Sequence, residues 1–261
     1  ARNHGCCSIV IDSYAVKNDF VEKLRNSGFR VVVINDYAEG PSSAHVVING
    51  GAHAQKVPYE SAEGDTQFVL GTRYTLLRPQ FWSVSAKEIS PVVNNVLLCV
   101  GGDDSLGVMP WFVRILDAVV DAKCIFNVVL GPYFLNDEEI QQIILPSSRE
   151  LRFFKGADSL YDLMRINDVA VTAGGQTAYE LAATGTPALA VSLFDNQERG
   201  VRALADAGAL LFSGCVEDGR LPSELPKIFG RLVSQPNLRK QLSWTAQSTI
   251  DGGGARRVAE L

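Results

Sequence analysis

Short apolar runs alternate with helix-periodic segments along almost the whole chain. That alternation admits little besides parallel β-sheet flanked by helices. Ser8–Asp12 reads as a first strand, and residues 16–27 as an amphipathic helix with Val16, Phe20, Val21 and Leu24 on one face and Gly28 as its stop. Arg30–Ile34 reads as the next strand, with shorter ones at 45–48 and 68–70 and loop composition over 49–67. A second set is cleaner. Its strands are expected at 95–100, 125–130, 151–154, 169–172 and 188–191. Its helices are expected at 109–121, 137–144, 158–166, 176–183, 196–207 and 222–233. Residues 236–261 read as two further helical pieces broken at 251–254, and the polar stretch 86–94 with Pro91 as a linker. There is no fixed-period repeat and no low-complexity tract.

Composition removes several classes of function. Of the 261 residues 46% are hydrophobic, enough for sizeable cores, so wholesale disorder is excluded. The net charge is −5 and Lys and Arg do not cluster, which argues against a nucleic-acid or anionic-membrane partner. No apolar run reaches the roughly 18 residues of a membrane span. Cys6, Cys7, Cys99, Cys124 and Cys215 follow neither metal spacing nor a disulfide framework, which points to a reducing cytoplasm. His4, His45 and His53 stand apart from any ligand cluster, so neither a metal nor a cofactor is expected. The chain begins at Ala1 directly before a buried-looking strand, which reads as a start in the middle of a domain.

In an α/β sheet, ligands gather at the carboxyl ends of the strands. The strand at 95–100 runs into Gly101-Gly102-Asp103-Asp104-Ser105 and a helix. Glycines there let a ligand approach the backbone, and a helix N-terminus favours an anion. A plain glycine-rich turn with Asp or Ser capping the helix fits as well. The strand at 169–172 runs into Ala173-Gly174-Gly175-Gln176-Thr177 and a helix carrying Glu180 one turn in, within reach of ribose hydroxyls beside a bound phosphate. Without a ligand, Glu180 would simply face the positive end of the helix dipole. Two such helix starts, the second followed by a carboxylate, favour a nucleoside diphosphate. After the strand at 188–191, Asn196 and Gln197 are placed to donate to sugar or phosphate, while Asp195 and Glu198 are spaced as a capping box. Asp12 and Asn35-Asp36 end the first two strands, as cleft residues or as caps of the following turns. There is no GxGxxG, P-loop, nucleophile elbow or kinase signature.

An ordered series of motifs then resembles a known family. It runs through Val10-Ile11-Asp12-Ser13-Tyr14, Val33-Ile34-Asn35-Asp36, Val47-Ile48-Asn49 and Leu70-Gly71-x-x-Tyr74-x-Leu76-Leu77-Arg78-x-x-Phe81. It continues through Gly101-Gly102-Asp103-Asp104, Leu160-x-x-Leu163-Met164, Asn167-Asp168, Ala173-Gly174-Gly175-Gln176-Thr177-x-x-Glu180, Asn196-Gln197 and Asp251-Gly252-x-Gly254-Ala255-x-Arg257-Val258. Over almost its whole length the chain resembles the UDP-sugar hydrolases of pseudaminic acid biosynthesis, which release UDP from a diacetamido-trideoxy-altropyranose. The wider clan is that of the two-domain GT-B glycosyltransferases.

The resemblance implies an α/β, GT-B-like fold of two Rossmann-like domains, the N-terminal one incomplete. It implies a partial N-terminal domain over 1–88, a UDP-binding domain over 92–250 and a closing helix over 251–261. UDP would lie against Gly101, Gly102, Asp103, Gly174, Gly175, Gln176, Thr177, Glu180 and Gln197. Asn196, Tyr14 and Asp12 would stand nearest the sugar and the chemistry. The family's Gly-x-Gly-His-x-x-Arg loop, whose histidine is expected to act as acid/base, belongs upstream of Ser8. A fused or separate segment supplying that loop is therefore an expected partner. Hydrolysis of a UDP-sugar is the leading reading, with a GT-B glycosyltransferase or a non-catalytic UDP-sugar-binding module as alternatives.

Overall fold

A computed structural model describes residues 7–102, 104–134, 138, 140, 143, 145, 147–156 and 160–261. The helix expected over 137–144 falls largely outside the described residues. The chain forms two compact units: residues up to Leu76 together with Gly253–Leu261, and Leu77–Gly252.

In the first unit β1 (Ser8–Asp12), β2 (Arg30–Ile34), β3 (Val46–Asn49) and β4 (Gln67–Leu70) form a parallel sheet in chain order. Side chains alternate across a strand, so each strand serves two faces. Val31, Val33 and Val47 meet Val21 and Leu24 of α1 (Asn18–Asn26) on one face. Val32, Ile34, Val46, Ile48 and Val69 gather on the other, against Val258 of the terminal helix Gly254–Ala259. The second face is covered only in part, since Val10 of β1, paired with Val32, is 65% exposed. His45, expected to open β3, lies one residue before it. Its backbone N–H donates to Val31 O and its Nδ1 accepts from Val31 N–H at 3.0 Å, which extends the ladder through a side chain.

In the second unit the strands are β5 (Asn95–Cys99), β6 (Ile125–Leu130), β7 (Leu151–Lys155), β8 (Val169–Ala173), β9 (Ala188–Ser192) and β10 (Leu211–Cys215). Its described helices are α2 (Val108–Asp117), α3 (Tyr161–Ile166), α4 (Gln176–Thr184), α5 (Asp195–Asp206), α6 (Leu221–Ser234) and α7 (Pro236–Thr249). The sheet is parallel, in the order β10-β9-β8-β5-β6-β7. Val96, Leu98, Phe126, Val128, Val169 and Val171 pack with Met109, Phe112 and Leu116 of α2 and Leu225, Phe229 and Leu232 of α6. The opposite positions Ala170, Thr172, Ala188 and Ala190 are small and buried, and α4 packs on β8 and β9.

The stretch 86–94, expected to be a linker, belongs to the second unit and is pinned there by cations. The fully buried Arg239 donates to the carbonyls of Leu232 and Val233 at the end of α6 and to those of Ser90 and Pro91. Lys87 Nζ donates to the carbonyls of Met164 and Arg165 at the end of α3. Arg165 in turn donates to Ser85 O and Thr184 O. Cations at helix C-termini satisfy carbonyls that the helix itself leaves open.

Arg149 does the same at the end of α2. It donates to the carbonyls of Asp117, Val120, Asp121 and Cys124, pairs with the Asp117 carboxylate at 2.8 Å and lies over the Phe126 ring. Burial works to raise the Asp117 carboxyl, but its hydrogen bonds from Ser147 and Arg149 outweigh that and hold it below the usual carboxylate range. Arg149→Ala should destabilise the second unit by about 3–5 kcal/mol, because a buried carboxylate and several carbonyls lose their donor together. Arg149→Lys should rescue little of this, since one ammonium cannot reproduce the planar fork. A loss below about 1 kcal/mol in denaturant unfolding would contradict this role.

Candidate functional site

The second sheet reverses its direction of growth once. The chain lays β6 and β7 to one side of β5, then returns to place β8, β9 and β10 on the other. Open α/β sheets bind ligands in the crevice at the carboxyl ends of the two strands flanking such a reversal. Here those strands are β5 and β8, paired as far as Cys99 and Thr172, and the two glycine loops follow them directly.

The β5 loop is shaped by its own backbone. Gly101 has φ +108°, which disfavours any side chain, and the space around its Cβ position is open. Gly102 O accepts from the N–H of Tyr133, an exposed aromatic after β6. Asp104 is buried, and its two carboxylate oxygens accept from Val108 N–H at 2.8 Å and Met109 N–H at 2.9 Å. The start of α2 is therefore neutralised by the chain's own carboxylate, so capping rather than an open anion site holds there. Asp103 lies outside the described residues.

The β8 loop differs. The N-cap of α4 is Gly175, which has no side chain of its own to cap the helix. Gly175 and Gln176 are exposed, Thr177 is half-buried, and a Cβ on Gly175 would meet open space. Gly174 is the opposite case, since a Cβ there would stand 2.2 Å from Val201 Cγ2 and 3.1 Å from Gln197 Cβ. The loop is glycine at 174 so that α5 can press against it, while the space beside Gly175 is open. The Cys99 thiol, raised to about 11 by burial, is hydrogen-bonded to Thr177 and feels the charge of Glu180. That contact joins the end of β5 to the first turn of α4.

Glu180 is 2% exposed. Its Oε1 accepts from Arg78 Nη2 at 2.9 Å and Nε at 3.3 Å. Burial pushes the Glu180 carboxyl above its ordinary value, and the Arg78 hydrogen bonds and charge offset only part of that rise. The sequence reading carried Arg78 only as one letter of a motif, because its partner lies 102 residues further on.

At the end of β9 the expected capping box does not form. Phe194 is the N-cap, Asp195 is the first residue of α5, and Glu198 pairs with Arg202. Gln197 Oε1 instead accepts from Leu193 N–H at 3.1 Å, which ties that side chain to its own turn, while Asn196 is exposed. Gly101, Gly102, Gly174, Gly175, Gln176, Thr177, Glu180, Asn196 and Gln197 thus follow three neighbouring strands, β5, β8 and β9. Asn167 and Asp168, quoted beside them as motif residues, sit at the opposite end. Asn167 bonds Asn127 and Leu163 O, and Asp168 accepts from the N–H groups of Asn94 and Asn95.

Asp12 and Tyr14 belong to the first unit, Asp12 as the last residue of β1 and Tyr14 just beyond it. Asp12 is exposed. Tyr14 OH donates to Asp36 Oδ2 at 2.9 Å, and its ring meets Tyr37 edge-on with centroids 5.5 Å apart. Desolvation, reinforced by Asp36, raises the Tyr14 phenol to about 12, which makes it a neutral donor and not a base. Asn49, the last residue of β3, accepts from Gly51 N–H and donates to Tyr59 OH, which in turn donates to Asn35 O. Among the described residues no His, Cys, Asp and Glu group could hold a metal ion, and no helix is long and apolar enough to cross a membrane.

No family model matches the chain. Among curated relatives it is 27% identical over 202 residues to the uncharacterized protein MJ1062 of Methanocaldococcus jannaschii, covering 72% of this chain and 40% of that protein. It is 26% identical over 264 residues to the spore coat polysaccharide biosynthesis protein SpsG of Bacillus subtilis, covering 97% of this chain and 75% of that one. The chain thus spans well under half of the first relative's length and three quarters of the second's. Among solved structures it superposes on MurG of Acinetobacter baumannii with a TM-score of 0.66 at 15% identity, over 99% of this chain and 74% of that one. It superposes on S. aureus MnaA, solved with UDP, with a TM-score of 0.63 at 12% identity, over 99% and 75%. The spinosyn rhamnosyltransferase SpnG, complexed with thymidine diphosphate, gives 0.56 at 15% identity, over 98% and 73%. The fold is α/β, with two parallel-sheet Rossmann-like domains of the kind found in GT-B glycosyltransferases.

The two loop glycines should respond differently to a methyl group. Gly174→Ala should cost about 1–3 kcal/mol through overpacking against Val201 and Gln197. Gly175→Ala, at an extended residue in open space, should leave stability within about 0.5 kcal/mol. Equal costs in denaturant unfolding would contradict the close approach at Gly174.

Proposed function

We propose that the second unit binds the nucleoside diphosphate of a UDP-sugar and that the protein serves polysaccharide biosynthesis by moving the sugar off that nucleotide. One observation carries this reading. The two glycine loops and the glycine-led start of α4 lie at the point where the sheet reverses, with the buried carboxylate of Glu180 one turn beyond. The diphosphate would lie at the start of α4 and along Gly101, Gly102 and Asp103, where backbone N–H groups stabilise the negative charge that develops on departing UDP. Glu180 would accept from the ribose hydroxyls, with Gln176, Thr177 and Gln197 completing the pocket wall. Asn196 would stand nearest the diphosphate–sugar linkage. The roles of Tyr14 and Asp12 toward the sugar rest on the family resemblance alone.

Transfer to an acceptor, as in a GT-B glycosyltransferase, is the reading that the structural likeness favours. Hydrolysis, with water as acceptor, is the second reading, favoured by the ordered motifs shared with the UDP-sugar hydrolases of pseudaminic acid biosynthesis. The similarity to SpsG supports a polysaccharide pathway for either. The free thiols of Cys7, Cys99, Cys124 and Cys215 fit a reducing cytoplasm. A fused or separate segment supplying the family's histidine loop remains part of the hydrolase reading. UDP release measured with and without added acceptor separates the two: acceptor-dependent release supports transfer, and acceptor-independent turnover supports hydrolysis.

Glu180→Ala should weaken UDP binding by about 1–3 kcal/mol, the range for a hydrogen bond to a charged group. Unchanged calorimetric affinity would remove Glu180 from the ribose site. Asn196→Ala should lower sugar turnover more than UDP affinity, and equal losses in both would make Asn196 a nucleotide ligand only.

A further inference from the structure

We infer that Arg78 is a positioning residue of the nucleotide site, which holds the buried Glu180 carboxylate ionised and oriented as a hydrogen-bond acceptor for the ribose. The inference rests on the nucleotide-binding reading above and extends it to a residue outside the glycine loops.

The geometry is specific. Glu180 has a side chain 3% exposed, while that of Arg78 is 50% exposed. Two guanidinium nitrogens, Nε and Nη2, converge on the same oxygen, Oε1. The carboxylate is therefore held through Oε1, and Oε2 would accept from the ligand hydroxyl.

The support for Arg78 is rigid. The residue enters the 3₁₀ turn Pro79–Phe81, whose Phe81 is fully buried and packs edge-on against Tyr161. That turn contacts α4, the helix that carries Glu180. Trp82 Nε1 donates to Leu77 O at 2.6 Å, which closes the loop around Arg78. A guanidinium on so short and well-anchored a segment can hold a partner in place without ordering a long side chain from solution.

The chemistry needs that hold. A carboxyl group in a buried site tends to keep its proton. A protonated carboxyl competes as a donor and accepts poorly from ribose hydroxyls. A half-exposed cation against the carboxylate keeps it charged while its own solvation is largely retained.

The test is UDP calorimetry between about pH 6 and about pH 9 on wild type, Arg78→Gln, Arg78→Lys and Glu180→Gln. It is paired with a carbon-13 NMR titration of the Glu180 carboxyl in the ligand-free proteins. Wild-type affinity should be nearly flat above neutral pH. Arg78→Gln should bind about ten- to a hundredfold more weakly near pH 7, and should recover as rising pH ionises Glu180. Arg78→Lys should retain most of the affinity. Glu180→Gln should be weak at every pH, and adding Arg78→Gln to it should cost nothing more. In the NMR titration, Glu180 should ionise at higher pH in Arg78→Gln than in wild type. Loss by a constant factor at all pH, or no loss at all, overturns the positioning role. Unchanged Glu180 titration in Arg78→Gln overturns it too. If wild type binds no UDP, the nucleotide reading falls, and the NMR titration still decides whether Arg78 sets the charge of Glu180.

Discussion

The pairing of β8 with β5 fixes the candidate site. Val96, Leu97, Leu98 and Cys99 align with Val169, Ala170, Val171 and Thr172, so the two strands end level with each other. Had β8 continued beyond β7, the loops after Cys99 and Ala173 would stand at the same end of the sheet with β6 and β7 between them. The reversal brings Gly101 and Gly175 to adjacent strand ends and sets the first turn of α4 beside the end of β5. The start of this pairing is secured by Asp168, which accepts from the N–H groups of Asn94 and of Asn95, the first residue of β5, and by Asn167, which bonds Asn127 on β6. Motif residues at one end of the sheet thus hold the register that shapes the other end.

Charge is handled in two ways in the second unit. Away from the site, Arg149, Arg239 and Lys87 face backbone carbonyls at helix ends, and their positive charge is absorbed by the helices. At the site the polarity is reversed. The start of α2 is closed by Asp104, whereas α4 is led by Gly175, which brings no carboxylate to its N-cap. The two helix starts that look alike in sequence are therefore built differently. The adjacent carboxylate, Glu180, is kept by Arg78.

Much of the architecture was legible because parallel strands covered on both faces must be apolar throughout, and such runs are short, dense and bounded. The expected strands from Ser8 to Ser192 match the observed ones to within a residue or two. Strand β10 escaped notice because Leu-Phe-Ser-Gly-Cys carries a serine and a glycine, as a half-buried edge strand can. The stretch 86–94 looked like a linker because its anchors, Arg239 and Gln247, lie far away in sequence. The same physics hid Arg78. A local pattern reports periodicity and caps, but not which distant cation answers a buried carboxylate. The Asp195–Glu198 spacing misled for the converse reason: α5 starts one residue earlier than a box would need, and Glu198 finds Arg202 one turn on.

The central claim is that a nucleoside diphosphate occupies the crevice where the second sheet reverses. Hydrogen–deuterium exchange with and without saturating UDP tests it most directly. Protection is expected at residues 99–104 and 173–180, with smaller changes at 193–197 and at Arg78, and with the amino ends of the same strands unaffected. UDP that binds but protects only segments elsewhere would contradict the account, as would the absence of any protection in a protein shown to be folded.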